Sequence, residues 1–339
     1  MPRRNSPSRP SCAPHVSGGS RQAKPRPRRE PPPTYGIVDE TPETRHNDAT
    51  DLDARHLGAE SVSRYLRRHG LAARKTFSQN HLVDGTVLET ILEEAGVTEG
   101  RHVLEIGPGL GILTGPLLAA GADLTAVEVD TRLAEHLRSR FAGSPGFHLV
   151  EDDALDIPTP DLVSPPWDLV ANLPYHITSP VLHHVLGQEP RPEHFVLMLQ
   201  REVAERIAAP PGGMSYLSVF VQYHADVRVA RVVPASAFEP EPAVQSAILV
   251  GKTRPRALDA EGEEALWRLV QAGFRERRKM LHNVLPRQLP QVGRERFEEA
   301  LAAVGIAPDR RPQTVSVDEW LALSEALGPL APMGVVESP

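Results

Sequence analysis

The chain has 339 residues, 40% of them hydrophobic and 24% charged, and a formal net charge of -7. This fits a globular protein of about two domains; it excludes a wholesale polycation but not a local nucleic-acid face. The single cysteine, Cys12, excludes a disulfide framework and a cysteine metal centre, no apolar run nears the ~18 residues of a membrane span, and the basic N-terminus lacks a secretory h-region, so the expectation is a soluble, cytoplasmic protein with no metal.

Residues 1–57 read as a disordered tail, rich in Pro, Ser, Arg and Gly. Its charge is split: residues 1–30 hold eight Arg or Lys against one Glu, and residues 31–60 hold seven acids against two Arg. A plain solvated tail and a basic arm with non-specific RNA affinity both fit that pattern. Val62, Tyr65 and Leu66 then fall at helical spacing. Lys75–Leu82 is a polar loop, and Asp84 caps a helix running through Leu88, Ile91 and Leu92 to Gly96.

An alternation of strands and helices follows. Strands are expected at Val103–Ile106, Leu124–Val129, Phe147–Val150, Leu169–Ala171 and Phe195–Leu199. Helices are expected at Leu113–Ala119, Arg132–Phe141, Ser179–Leu186 and Arg201–Ala209. Val227–Val233 and Ala247–Val250 read as two more strands with no long helix between them, an antiparallel edge. The βαβ alternation implies an α/β, doubly wound, Rossmann-like sheet. After Lys252 the pattern is wholly helical, with helices at Glu264–Asn283, Arg294–Val304 and Asp318–Leu327. The expected division is a catalytic domain over 58–252, a small all-helical domain over 253–330 and a tail over 331–339, with a linker near 251–258 marked by Gly251 and Pro255.

Two motifs carry chemistry. Glu105-Ile106-Gly107-Pro108-Gly109-Leu110-Gly111 follows the first strand and opens a helix. Its register is G-x-G-x-G, whereas a pyrophosphate seat wants G-x-G-x-x-G. Glu105 would repel a pyrophosphate and tolerate a cationic sulfonium, so S-adenosylmethionine fits better than NAD. Glu128 ends the second strand, 21 residues after Gly107, where a carboxylate can accept both ribose hydroxyls; Asp130 can cap the next helix. Of Asp152 and Asp153 after the third strand, one can accept from an adenine amino group. Asn172-Leu173-Pro174-Tyr175 ends the fourth strand. By itself it is compatible with a plain turn. Beside the upstream motif it suits an amino-bearing heterocycle: Asn offers an oxygen and an NH2, Pro a fixed φ, and Tyr a stacking plate. His176 is read as a packing or solvent residue rather than a base.

These motifs, with Gln79-Asn80-His81-Leu82 and Phe238-Glu239-Pro240-Glu241-Pro242-Ala243-Val244-Gln245-Ser246, occur in an order that resembles the ribosomal RNA adenine dimethyltransferases, above all their bacterial small-subunit branch. The likeness runs from about Val62 to Leu327, and His81, where Phe is common, is a minor departure. It implies a Rossmann-like methyltransferase sheet that binds S-adenosyl-L-methionine. Asn80 and Leu82 would close over the cofactor, Gly107 would meet its methionine end, Glu128 its ribose, Asp153 its adenine amino group, and Asn172 the boundary with the substrate base. Asn172, Leu173, Pro174 and Tyr175 would form the catalytic set, with Phe238 on the base's other face. The implied substrate is 16S rRNA in an immature small ribosomal subunit, dimethylated at N6 of two adjacent adenosines in the 3′-terminal hairpin loop by a monomer. Arg275, Arg277, Arg278 and Lys279, read as cations on one helix, would hold RNA, with Gln200, Arg201 and Arg206 as secondary contacts. The alternatives are a large-subunit adenine methyltransferase of the macrolide-resistance type and a non-catalytic ribosome-assembly factor.

Overall fold

The computed structural model describes residues 62–71 and 80–330. The N-terminal tail, Lys75–Gln79 of the polar loop and residues 331–339 lie outside them.

Strands β2 (His102–Ile106), β3 (Asp123–Glu128), β4 (Phe147–Glu151), β5 (Trp167–Asn172) and β6 (His194–Gln200) pair in parallel. Strand β9 (Ser246–Thr253) runs antiparallel between β6 and β7 (Ala225–Val233). The seven-stranded order is β4-β3-β2-β5-β6-β9-β7. The α/β reading is therefore right, and the last two strands are antiparallel as expected. Central strands read as unbroken apolar runs because helices cover both faces: Leu104, Leu169 and Leu197 are buried on one side, Val103, Val170 and Val196 on the other.

The helices form where apolar spacing and caps agree. Asp84 Oδ1 accepts from Thr86 N at 2.9 Å and starts α2 (Gly85–Ala95), whose Val87, Leu88 and Ile91 are buried. Asp130 does the same for α4 (Thr131–Arg140) through Arg132 N. At the opposite end of the sheet Arg101 grips Asp168 through Nε at 2.6 Å and a terminal nitrogen at 2.7 Å, while Asp168 accepts from His194 N at 3.0 Å. That bidentate pair ties the starts of β2, β5 and β6 together.

Three expectations need correction. A further helix stands between β6 and β7: α8 (Tyr216–His224), started by a Ser215–Ser218 capping box. The single helix expected at Glu264–Asn283 is two, α9 (Ala260–Phe274) and α10 (Leu281–Gln288), with a turn between them. The break has a cause. Leu281 N donates to the Arg310 carbonyl at 2.8 Å and His282 N to that of Pro308 at 3.2 Å, so the start of α10 is bonded to another segment. Six residues, 275–280, span the gap; five are charged and the sixth, Met280, is exposed. With α11 (Arg294–Ala303) and α12 (Val317–Leu327), α9 and α10 enclose a core of their own around Trp320, Phe297 and Leu285. Met214 and, from α8, Val219 and Tyr223 reach into it.

The third concerns Gly251, expected in a linker. It lies inside β9 opposite Phe195. A Cβ there would sit 2.0 Å from Phe195 Cζ; the missing side chain is the space the ring fills. Gly251→Ala should therefore cost about 1–3 kcal/mol or more of unfolding free energy in urea titrations. Phe195→Leu in the same chain should recover part of that loss, and a Gly251→Ala protein as stable as its parent would disprove this packing account.

Candidate active site

The β2–β5 ladder ends at Leu104–Leu169, whereas the outer ladders continue to Ile106–Val127 and Asn172–Met198. The carboxyl ends of the two central strands are thus unpaired with each other. A cavity of about 270 Å³ opens there, at the switch point where open α/β sheets bind ligands. Asn80, Leu82, Gly107, Glu128, Asp153, Asn172, Leu173, Pro174, Tyr175 and Phe238 all line it. Glu105, His81, Asp152, His176 and Met198 are there too.

Backbone geometry sets the floor. Gly107 has φ +69°, a conformation that L side chains rarely adopt, and its missing Cβ would touch Pro174 Cδ at 3.5 Å. The two motifs therefore meet at this point. Gly109 N donates to Glu128 Oε2 at 3.1 Å and Asp130 N to Oε1 at 3.0 Å, so one buried carboxylate holds both turns. Asp152 Oδ1 accepts from Asp153 N at 2.8 Å, and Asp153 Oδ1 from Leu155 N at 2.9 Å. Both are exposed residues on the cavity's rim.

The Asn172 turn is open to a ligand. Among the described residues its side-chain amide has no hydrogen-bond partner, and no donor reaches the Leu173 carbonyl. The Pro174 carbonyl, by contrast, accepts from Ile177 N at 3.1 Å. Tyr175 is half-buried, with its hydroxyl 2.9 Å from Ser246 Oγ, and His176 is exposed. Phe238 is buried and pairs with Leu82 in a two-stranded ladder, β1 (His81–Leu82) against β8 (Phe238–Glu239). Burial drives the His81 imidazole down to about 4. Glu239 accepts from Val62 N at 3.0 Å and Ser63 N at 3.2 Å, capping α1 (Val62–Arg68). Sequence patterns do not disclose this cap, the Ser246 contact or the Thr114 hydroxyl hydrogen-bonded to Glu105. Only the Phe238–Ser246 run points to the first two.

The lining itself identifies the ligand chemistry. Among the described residues it carries five carboxyl groups, on Glu105, Glu128, Asp130, Asp152 and Asp153, and neither Lys nor Arg. A pyrophosphate finds no counter-charge among them. A ligand with hydroxyls, amino groups and positive charge has several acceptors.

The expected RNA cations sit elsewhere. Arg275, Arg277, Arg278 and Lys279 lie on the α9–α10 turn, not on a helix; all four are exposed, and Lys279 reaches a surface groove with Asn283, Arg287 and Arg294. Arg201 is engaged by Glu205 and Gln245, and Arg206 by Glu202.

Residues 70–328 match the family model for ribosomal RNA adenine dimethylase. The chain is 43% identical over 277 residues to the ribosomal RNA small subunit methyltransferase A of Anaeromyxobacter sp. (strain K), covering 78% of this chain and 96% of that protein. It is 42% identical over 271 residues to its namesake in Geobacter metallireducens, covering 77% and 98%. Among solved structures, the 23S rRNA methyltransferase ErmE aligns with a TM-score of 0.59 at 30% identity, over 73% of this chain and 99% of that one. A dimethyladenosine transferase from Plasmodium falciparum shares the fold at a TM-score of 0.60 and 24% identity, over 72% and 95%.

The most buried acid of the cavity sets a pH dependence. Burial pushes Glu105 up to about 8, against the pull of the Thr114 hydroxyl, which donates to it at 2.7 Å; the Glu128 charge pushes the same way as burial. A carboxyl whose folded-state value lies above its unfolded value favours folding in its protonated form. That contribution is complete below about pH 4.5 and is lost as the pH climbs through about 8. Glu105→Gln, neutral at every pH, should escape the loss. Its stability relative to the parent should rise between about pH 5 and 9 by on the order of a few kcal/mol in urea titrations. A difference that stays flat with pH would contradict the buried-acid account.

Proposed function

Since the chain belongs to the ribosomal RNA adenine dimethylase family, we propose that it dimethylates N6 of two adjacent adenosines in the 3′-terminal hairpin loop of 16S rRNA, using S-adenosylmethionine. It acts as a cytoplasmic monomer on an immature small ribosomal subunit. Residues 58–252 form its catalytic domain and 253–330 its RNA-binding domain. One observation carries the reading: an open asparagine amide and a free carbonyl beside a cavity lined, among the described residues, by five carboxyl groups and by no Lys or Arg.

Bound S-adenosylmethionine supplies a methyl group activated on a sulfonium. The residues do the holding. Glu128 keeps lone pairs for two ribose hydroxyls, since each oxygen accepts only one backbone N–H. Asp153 accepts from the adenine amino group of the cofactor, Gly107 lets its methionine end approach the turn, and Asn80 and Leu82 cover it. On the substrate side, the Asn172 oxygen and the Leu173 carbonyl accept the two N6 hydrogens of adenosine. Leu173 is favoured over Pro174 because the latter's carbonyl already serves Ile177. These bonds draw the nitrogen towards sp3 and strengthen as positive charge develops on it, which is stabilisation specific to the transition state. Placement supplies up to ~7–11 kcal/mol in favourable cases. Stacking on Tyr175 adds ~1–3 kcal/mol, with Phe238 as the opposite wall. The base must leave its own stack to enter. No side-chain base is needed, because the product ammonium is acidic enough to lose its proton to water.

A large-subunit specificity of the ErmE kind is the second reading, and the identities weigh against it: 30% to ErmE against 42–43% to the small-subunit relatives. Labelled S-adenosylmethionine incubated with each immature subunit, followed by mapping of the modified adenines, decides between them. Methyl groups only on large-subunit RNA, or none at all, would reject the proposal.

Two variants test the roles. A singly methylated amine has one N6 hydrogen left, so the second transfer cannot use both acceptors. Asn172→Ala should therefore slow the first transfer more than the second in single-turnover assays on unmodified and monomethylated RNA; equal losses count against the assignment. Charge reversal at Arg277 and Arg278 should weaken RNA binding and flatten its salt dependence, the slope falling by about 0.7–0.9 for each phosphate the protein no longer neutralises. An unchanged slope removes that turn from the interface.

A further inference from the structure

The run from Phe238 to Ser246 starts at the cavity and ends inside the sheet. Ser246 opens β9 and is completely buried. Its backbone pairs with Gln200 of β6 on one side and Val233 of β7 on the other. Gln245 just before it is clamped by Arg201, whose backbone N–H donates to the Gln245 carbonyl at 2.9 Å and whose guanidinium donates to the side-chain oxygen at 2.8 Å. The Ser246 hydroxyl is thus a fixed point, and it lies 2.9 Å from the Tyr175 hydroxyl.

Tyr175 has no such anchorage of its own. It begins a single 3-10 turn, Tyr175–Ile177, with no side-chain cap, and it is half-buried at the cavity wall. Its ring turns about two side-chain torsions; a bond at the phenol tip fixes the first, and with it where the ring sits, and restrains the second through the preference of the phenol O–H for the plane of the ring.

We propose that Ser246 is a positioning residue for Tyr175: it holds the phenol tip so that the ring already stands at its stacking position when the substrate base arrives. The proposal rests on Tyr175 being the stacking plate. It assigns Arg201, an exposed residue, a place in the same brace, behind Gln245. It also separates two properties of Tyr175, the plate and the tip. Tyr175→Phe keeps the plate and loses the tip, as Ser246→Ala does from the other side; Tyr175→Ala loses both.

The test is a double-mutant cycle on single-turnover methyl transfer at saturating RNA. Ser246→Ala and Tyr175→Phe should each slow transfer about three- to tenfold, the scale of one hydrogen bond. The double variant should be no slower than either single one, and Tyr175→Ala should be slower than all three. The dissociation constant for S-adenosylmethionine should stay at the parent value in Ser246→Ala. RNA carrying 2-aminopurine at the target position reads the stack directly. Its fluorescence on binding should shift in the same direction and extent in Ser246→Ala and Tyr175→Phe. Additive losses, a Ser246→Ala enzyme at the parent rate, or a loss that comes with weakened cofactor binding and lower thermal stability would each overturn the inference. A parent protein that transfers no methyl to adenine in RNA would sink the functional reading itself, an outcome visible before any variant is compared.

Discussion

Everything in the site follows from a ladder that stops early. Strands β2 and β5 pair only as far as Leu104 and Leu169. The chain enters the sheet at β2, builds outward to β4 on one side, then returns to build β5 and β6 on the other. No strand can fill the gap between the two central carboxyl ends. The Gly107 turn leaves one rim and the Asn172 turn leaves the other. With φ +69° and no side chain, Gly107 brings the rims into contact at Pro174. On the proposed reading, cofactor chemistry and substrate chemistry are adjacent because the topology leaves them one crevice to share.

The crevice is then held by groups whose own chemistry is already partly committed. Glu128 uses one lone pair on each oxygen for Gly109 and Asp130. Glu105 is held by Thr114 and, through burial, keeps its proton to about 8. Far from the crevice, the Arg101–Asp168 pair fixes the opposite ends of the same strands. Among the groups left uncommitted, the Asn172 amide and the Leu173 carbonyl are, on the proposed reading, where a reacting amine would sit. Rigid surroundings with a few free acceptors are what placement catalysis requires.

Most of this is legible in the sequence because it depends on local patterns. Continuous apolar runs mark the parallel strands, Asp84 and Asp130 mark helix starts, and Glu128, Asp153 and Asn172 share an edge because each follows or ends a strand. The illegible parts depend on partners distant in the chain. Ser246 lies 71 residues from Tyr175, and Glu239 lies 177 from Val62. The break after Phe274 is hidden because helical spacing resumes at Leu281, and only the Arg310 and Pro308 carbonyls reveal that a new helix begins there. Gly251 reads as a linker for a similar reason: a glycine that makes room for Phe195 looks, in sequence, like one that loosens the chain.

The corrected position of the cations bears on how an acidic protein of net charge -7 would handle RNA as proposed. The average conceals a partition. Among the described residues, five carboxyl groups and no Lys or Arg line the crevice, while Arg277, Arg278 and Lys279 crowd a turn elsewhere. On the proposed reading a phosphate backbone would be drawn to the turn and repelled by the ionised acids of the crevice, Glu105 being protonated up to about pH 8. A base, which carries no formal charge, is not repelled. The same electrostatics that suit a cationic methyl donor thus keep the polyanion out of the pocket. On the proposed reading they would admit only a base turned out of its stack, so that charge would favour a flipped adenine before any hydrogen bond to N6 is formed.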